Sequence, residues 1–225
     1  ASEIKALLAH PAVKPAINMA AMQHYLTFLT TPAPLTMFEG IFKLPAGHYL
    51  KIDGRGAISA RRYWDALPGQ SAYSGLRAEG NPNRMEGAVA AEIRSQLTEA
   101  VRKRTMADVP YGVLLSGGID SSTNVALMSM LSDRPVETFT VGFKDYPALN
   151  ETEHARQIAQ LFRANHHEVL IDKRDMTGYV QDLVHTQDEP IADWVCIPLF
   201  FVSKLARDSG VVVTQVGEGS DEQFF

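Results

Sequence analysis

Near the start of the chain, apolar residues recur every third or fourth position: Ile4, Leu7 and Leu8, then Met22, Leu26 and Leu29. Stripes at that spacing lie on one face of a helix, which predicts helices over 2–10 and 18–29. Pro32 and Pro34 break the pattern. From Gly40 to Trp64 the chain reads as extended segments divided by Pro45-Ala46-Gly47 and by Asp53-Gly54, a hairpin-bearing stretch. Residues 66–83 are rich in Gly, Pro, Ser and Asn and read as a linker. Beyond them Val89, Ile93, Leu97 and Val101 repeat every four residues and predict one long helix over 84–106. Near-continuous apolar runs then alternate with helical stretches. Strands are expected at 111–115, 136–142, 166–171 and 211–216, and helices at 120–131, 151–163, 173–187 and 196–208.

That alternation predicts an α/β fold, a parallel sheet with helices on both faces. Ligands of such sheets sit at the carboxyl ends of the strands, which directs attention to 115–121 and 217–222. The chain has 225 residues and 24.8 kDa, enough for one large domain or for one domain and part of another. Its hydrophobic and charged fractions, 45% and 21%, are those of a soluble globular protein. A net charge of -5 gives no general attraction to nucleic acid. Cys196 is the single cysteine, which excludes an internal disulfide and a cysteine-built zinc site and fits a reducing, cytoplasmic setting. Neither a secretory signal nor a membrane-spanning apolar window is visible, and there is no internal repeat. Both ends look unfinished, which gives the expectation of a partial chain.

The stretch "VLLSGGIDSS", Val113–Ser122, reads as strand, tight turn and helix start. Gly117 and Gly118 permit close backbone approach, and a glycine turn entering a helix N-terminus is suited to an anion such as phosphate. The stretch lacks the Gly-Lys-Ser/Thr ending of a P-loop and the G-x-G-x-x-G of a dinucleotide fold. Ser116 is not framed by a G-x-S-x-G nucleophile elbow. The alternative is an ordinary turn capped by Asp120 or Ser121. In "VVVTQVGEGSDEQ" a second strand ends in glycine, followed by Glu218, Asp221 and Glu222. Carboxylates beside a polyphosphate suit Mg²⁺, a hard cation; the alternative is an acidic helix start that satisfies the dipole. Val141-Gly142-Phe143 ends another strand, either beside an adenine ring or simply at a glycine. His166 and His167 are adjacent on a strand, face opposite ways and are taken as structural. Cys196, among Trp194, Val195, Ile197 and Leu199, is expected to be a buried, unreactive core residue. Arg102-Lys103-Arg104 is expected to be a solvated helix end.

"SGGIDSS" resembles the pyrophosphate-binding loop of the N-type ATP pyrophosphatases, the adenine nucleotide alpha-hydrolase-like (PP-loop) fold. The ordered set "YGVLLSGGIDSS", "TFTVGF", "HHE", "DEP" and "GEGSDE" resembles the synthetase domain of the glutamine-hydrolysing asparagine synthetases. "ASEIKALLAHP" and "GIFKLPAGHYL…RRYWD" are similar to the end of that family's N-terminal glutaminase domain. The resemblance implies the tail of a glutaminase domain over 1–65, a linker over 66–83 and an ATP-pyrophosphatase synthetase domain over 84–225. It implies that Ser116, Gly117, Gly118, Asp120 and Ser121 cradle the leaving pyrophosphate. Asp120 and Asp221 would hold Mg²⁺, Leu114, Val141 and Gly217 would surround the adenosine, and Glu218 would lie near the reacting acyl group. The implied substrates are ATP, aspartate or a similar acid, and ammonia from glutamine. Other acids, such as a sugar acid or a secondary metabolite, stay open, as does an inactive nucleotide-binding module. Neither nucleic acid nor membrane is implied as a partner, and a homodimer is one arrangement of the full-length parent.

Three departures matter. The family often has Ser before Gly-Glu-Gly, where this chain has Val216. The family's glutaminase nucleophile is an N-terminal cysteine, where this chain has Ala1, and the later helical half with its catalytic lysine has no counterpart. This stretch alone is therefore expected neither to hydrolyse glutamine nor to complete the synthesis.

Overall fold

The structure, a computed structural model, describes residues 1–65 and 82–219. Among them 1–65 and 182–193 form one compact unit, and 82–181 and 194–219 form another.

In the first unit, α1 (Ile4–Leu8) is followed by α2 (Met19–Phe28). Asn18 caps α2 by accepting the Ala21 N–H at 3.2 Å. Strands β1 (His48–Ile52) and β2 (Ile58–Arg62) pair antiparallel through the turn at Asp53-Gly54, whose Asp53 carboxylate accepts the Arg55 and Ala57 N–H groups. The expected hairpin is therefore present. Helix α1 is shorter than the 2–10 of its apolar pattern because a distant side chain fixes its start. The Asp188 carboxylate accepts the Ile4 and Lys5 N–H groups at 2.5 and 3.2 Å. Next to it Glu189 accepts the Met37 N–H at 2.6 Å and pairs with Lys43 at 2.7 Å. These two acids of "DEP" hold segment 182–193 to the N-terminal residues. Burial alone would raise the Asp188 pKa, but the two N–H groups and Lys5 hold it below its ordinary value.

The second unit opens with α3 (Pro82–Arg104), whose last turn carries Arg102, Lys103 and Arg104. Arg102 and Lys103 both pair with Glu99, so this cluster is the solvated helix end expected. Then come β3 (Tyr111–Leu114), α4 (Ile119–Leu131), β4 (Glu137–Phe143), α5 (Thr152–Leu161), β5 (Asn165–Ile171), α6 (Lys173–Thr186), α7 (Cys196–Asp208) and β6 (Val213–Gln215). The strands make one parallel sheet in the order β5-β4-β3-β6. Each expected strand and helix of this unit appears within a few residues of its sequence bounds.

Both faces of the sheet are covered. On one, Val101, Val125, Met128, Ala155 and Ala159 of α3, α4 and α5 pack on Val113 and Leu115. On the other, Val202 and Ala206 of α7 pack on Phe139 and Val211. Burial at roughly 25 cal/mol per Å² of apolar surface makes these two layers the main stabilising contribution of the unit.

Cys196 departs from its expected place. It is half-buried as the first residue of α7, because the apolar run around it is the exposed entrance to that helix and not a core segment. Trp194 and Val195 beside it are also exposed. The histidines are structural, as expected. His166 Nδ1 meets the Thr138 hydroxyl at 2.9 Å and its Nε2 meets Glu168 at 3.0 Å. His167 Nε2 meets Glu137 at 2.7 Å and its ring stacks on Phe139. Burial lowers the His166 pKa despite the neighbouring Glu168.

Candidate functional site

Central strand β3 ends at Leu114, and the chain turns through Ser116, Gly117 and Gly118 into α4. At Gly117 φ is +90°, and a Cβ there would stand 2.7 Å from His154 Cβ and 2.9 Å from the Ala155 N of α5. Only glycine fits the turn between sheet and helix. The N-cap of α4 is Gly118, which offers no side chain to accept the first-turn N–H groups. The Ser121 hydroxyl is engaged inside the turn: it accepts the Ser116 N–H at 3.2 Å and lies 2.9 Å from Ser116 Oγ. The Ser116 hydroxyl in turn accepts the Gly118 N–H at 3.2 Å. The capped turn weighed as the alternative therefore does not take this form. What forms is a hydrogen-bonded loop with a helix N-terminus behind it, suited to an anion.

Edge strand β6 brings the second motif alongside. A Cβ on Gly217 would lie 2.8 Å from the Asp120 carbonyl carbon and 2.9 Å from Ser121 N. The two glycine-ended strands thus meet with no room for a side chain between them. On the other side of β3, the Thr140 hydroxyl of β4 donates to the Leu115 carbonyl and fixes the strand end just before the loop. Asn150 clamps the end of β4 by accepting the Phe143 N–H at 2.6 Å and donating to its carbonyl at 3.0 Å. This sets Leu149 and Glu151 beside the sheet edge.

These strand ends and the start of α7 enclose a cavity of about 840 Å³. That volume lies in the range of small-molecule sites. Of the residues singled out in the sequence, Leu114, Ser116, Gly118, Asp120, Ser121, Val141, Gly217 and Glu218 all line it, and Gly117 forms the back of its loop. Asp221 lies outside the described residues. Sequence reasoning missed Glu151, Leu149, Trp194 and Leu199. Glu151 was visible only as the start of a helix, and the other three carry no spacing signal.

For Mg²⁺ the fit rests on Asp120. Among the described residues no three His, Cys, Asp or Glu side chains converge as a preformed metal site. Asp120 nevertheless stands in the first turn of α4 and lines the cavity with the glycine loop. Mg²⁺ is commonly held by one or two carboxylates together with phosphate oxygens and waters, so one half-buried carboxylate beside an anion loop suits it.

The family model described as asparagine synthase matches residues 92–225, and the glutamine amidotransferase domain model matches residues 1–64. A Methanocaldococcus jannaschii protein named "Putative asparagine synthetase (glutamine-hydrolyzing) 2" is 30% identical over 227 residues, which cover 99% of this chain and 41% of that protein. Asparagine synthetase (glutamine-hydrolyzing) 1 of Bacillus subtilis is 30% identical across 92% of this chain and 31% of its own length. Amidase chry2 of Gibberella zeae is 29% identical across 84% of this chain and 29% of its own length. The chain thus spans less than half the length of these curated relatives.

Proposed function

Because this chain belongs to the asparagine synthase family, we propose that its cavity activates a carboxylate with ATP for amidation. The observation that supports this reading is the close approach of Gly217 to Asp120 and Ser121, which brings the end of β6, with Glu218, against the glycine loop. In the proposed reaction a carboxylate oxygen attacks the α-phosphorus and the bond to the β-phosphate oxygen breaks. Pyrophosphate leaves with that electron pair. Ammonia then attacks the acyl carbon, AMP departs, and the nitrogen loses a proton to give the amide.

Each expected residue has a role in this proposal. Gly117 and the first-turn N–H groups of α4 meet the departing pyrophosphate, where charge develops in the transition state, while Ser116, Gly118 and Ser121 hold the loop around it through their mutual hydrogen bonds. Donors so placed are typically worth about 3 kcal/mol each. Leu114, Val141 and Gly217 flank the adenosine, and Glu218 stands near the acyl group. Asp120, with Asp221, would hold Mg²⁺, which supplies positive charge to the pyrophosphate when bound. The domain bounds of 1–65, 66–83 and 84–225 belong to the same proposal.

Aspartate, with ammonia drawn from glutamine, is the acid that the names of the asparagine synthetase relatives suggest. A different acid is the second reading, and the exposed apolar wall of Leu149, Trp194 and Leu199 favours it. No described helix is long and apolar enough to cross a membrane. The test is release of pyrophosphate by the full-length protein across a panel of acids, with AMP and amide measured in parallel. No acid-dependent pyrophosphate release from any member of the panel would defeat the proposal.

A further inference from the structure

The cavity offers water a cluster of large apolar side chains. Leu149, Trp194, Val195 and Leu199 line it and are 69%, 65%, 43% and 41% exposed. Apolar side chains scattered singly over a surface are ordinary, but several gathered in one concave site mark a binding surface. Trp194 stands with its ring centroid 6.4 Å from that of Phe143, tilted by 48°, so the two rings make an aromatic corner. The corner is held on firm supports. Phe143 is clamped by Asn150, and Trp194 precedes α7, whose Val202 and Ala206 are buried against Phe139.

The charged part of the lining is acidic. Besides Asp120, given above to the metal, it contains the carboxylates of Glu151 and Glu218, both exposed. A substrate's second carboxylate would meet those two with like charge, while an ammonium group on it would be drawn to them. A substrate with an apolar or aromatic group would instead cover the Trp194 corner and remove its surface from water.

We propose that the acid amidated here carries an apolar or aromatic group where aspartate has its second carboxylate, and that Trp194, with Leu149 and Leu199, selects it. The inference rests on the ATP-dependent amidation reading and names the substrate class of that same site. The competing occupant of the corner is the base of the nucleotide, and the experiment separates the two.

Trp64 and Trp194 are the only tryptophans, so Trp64→Phe leaves Trp194 as sole emitter. The chain is saturated with a non-hydrolysable ATP analogue and Mg²⁺, then titrated with 3-phenylpropanoate or with aspartate while Trp194 emission is followed. The expected result is a further saturable change with 3-phenylpropanoate and none with aspartate over the same concentrations. In calorimetry, Trp194→Ala is expected to weaken 3-phenylpropanoate binding by roughly tenfold or more, the scale of discrimination that apolar pockets achieve. Its affinity for the ATP analogue should stay within about twofold, and Trp194→Phe should restore most of the loss. An emission change completed by the ATP analogue alone would assign the corner to the base and overturn the inference. Binding of aspartate as tightly as the aryl acid, or an unaltered Trp194→Ala, would overturn it while leaving ATP-dependent amidation standing. Failure of any nucleotide to bind would bring down both.

Discussion

Replacing Gly217 with Ala tests whether the two strand-end motifs act as one site. The added Cβ would meet the Asp120 carbonyl carbon at 2.8 Å, Ser121 N at 2.9 Å and Asp120 Cβ at 3.1 Å. None of these atoms is the far end of a flexible side chain. Carbon contacts settle near 3.5–4.0 Å, so something must yield by roughly 0.7 Å. Helix α4 cannot move easily, because Val125 and Met128 on it are fully buried. The three-residue strand β6 pairs on one side with β3 and has no described strand on the other, so 216–219 should shift instead. Overpacking of this kind costs about 1–3 kcal/mol, and a yielding edge places the loss of stability near the lower figure. Binding should suffer more, since a displacement near 1 Å in a positioned site can cost about a hundredfold. The expected outcome is a small drop in the urea midpoint with a tenfold to hundredfold weaker titration of ATP and Mg²⁺ in calorimetry. Gly178→Ala is the control. Gly178 lies within α6 with nothing within 4 Å of its would-be Cβ, so that variant should gain up to about 1 kcal/mol and bind as before. A Gly217→Ala protein with unchanged midpoint and nucleotide affinity within twofold would refute the reasoning.

Asp120→Asn should keep the fold, read by circular dichroism, yet abolish pyrophosphate release by the full-length protein; near-normal turnover would remove Asp120 from the site. His166→Ala leaves the buried Thr138 hydroxyl with only a 3.4 Å contact to the Asn165 carbonyl, so about 1–2 kcal/mol should be lost in denaturation while ATP affinity is unchanged. Burial also depresses the His166 pKa, so its neutral form is favoured by folding. Stability is then complete above the unfolded histidine value of about 6.5 and declines as pH falls below it, a slope that His166→Ala should flatten. The depressed Asp188 pKa acts in a lower window: its contribution is present above about pH 4 and is lost as the carboxylate protonates. Asp188→Asn should therefore reduce the acid sensitivity of amide exchange in α1. An unchanged pH profile would remove Asp188 as the cap.

How far the sequence led depended on whether the deciding interaction was local. The β3 loop is legible because its parts lie within six residues: Ser116 reaches Ser121 and Gly118, and the glycines tolerate the turn. The alternation of apolar strands and striped helices was equally legible, since buried strands and one-sided helices leave period-specific patterns. Helix α1 was misjudged in length because its cap is a carboxylate supplied by Asp188, far along the chain. Cys196 was misplaced for a related reason. An apolar run looks the same whether it enters a core or borders a cavity, and only tertiary context shows that Trp194 and Val195 are exposed. The apolar wall of the site was hidden in that same ambiguity.

The pairing of β6 with β3 also bears on the order in which the site can form. Tyr111 faces Val213 across about a hundred residues of intervening chain, and long-range parallel pairing of this kind closes late and slowly. During synthesis from the N-terminus, the Ser116–Ser121 loop and α4 can settle through contacts with near neighbours. Gly217 and Glu218 cannot join them until β4, β5 and the helices after them have been made. A nucleotide that met the nascent chain earlier would find half a cradle, able to touch phosphate but lacking the wall that Gly217 closes. If the cradle takes ATP as proposed, tight nucleotide binding reports maturation: it switches on when β6 docks, the last step the described fold requires.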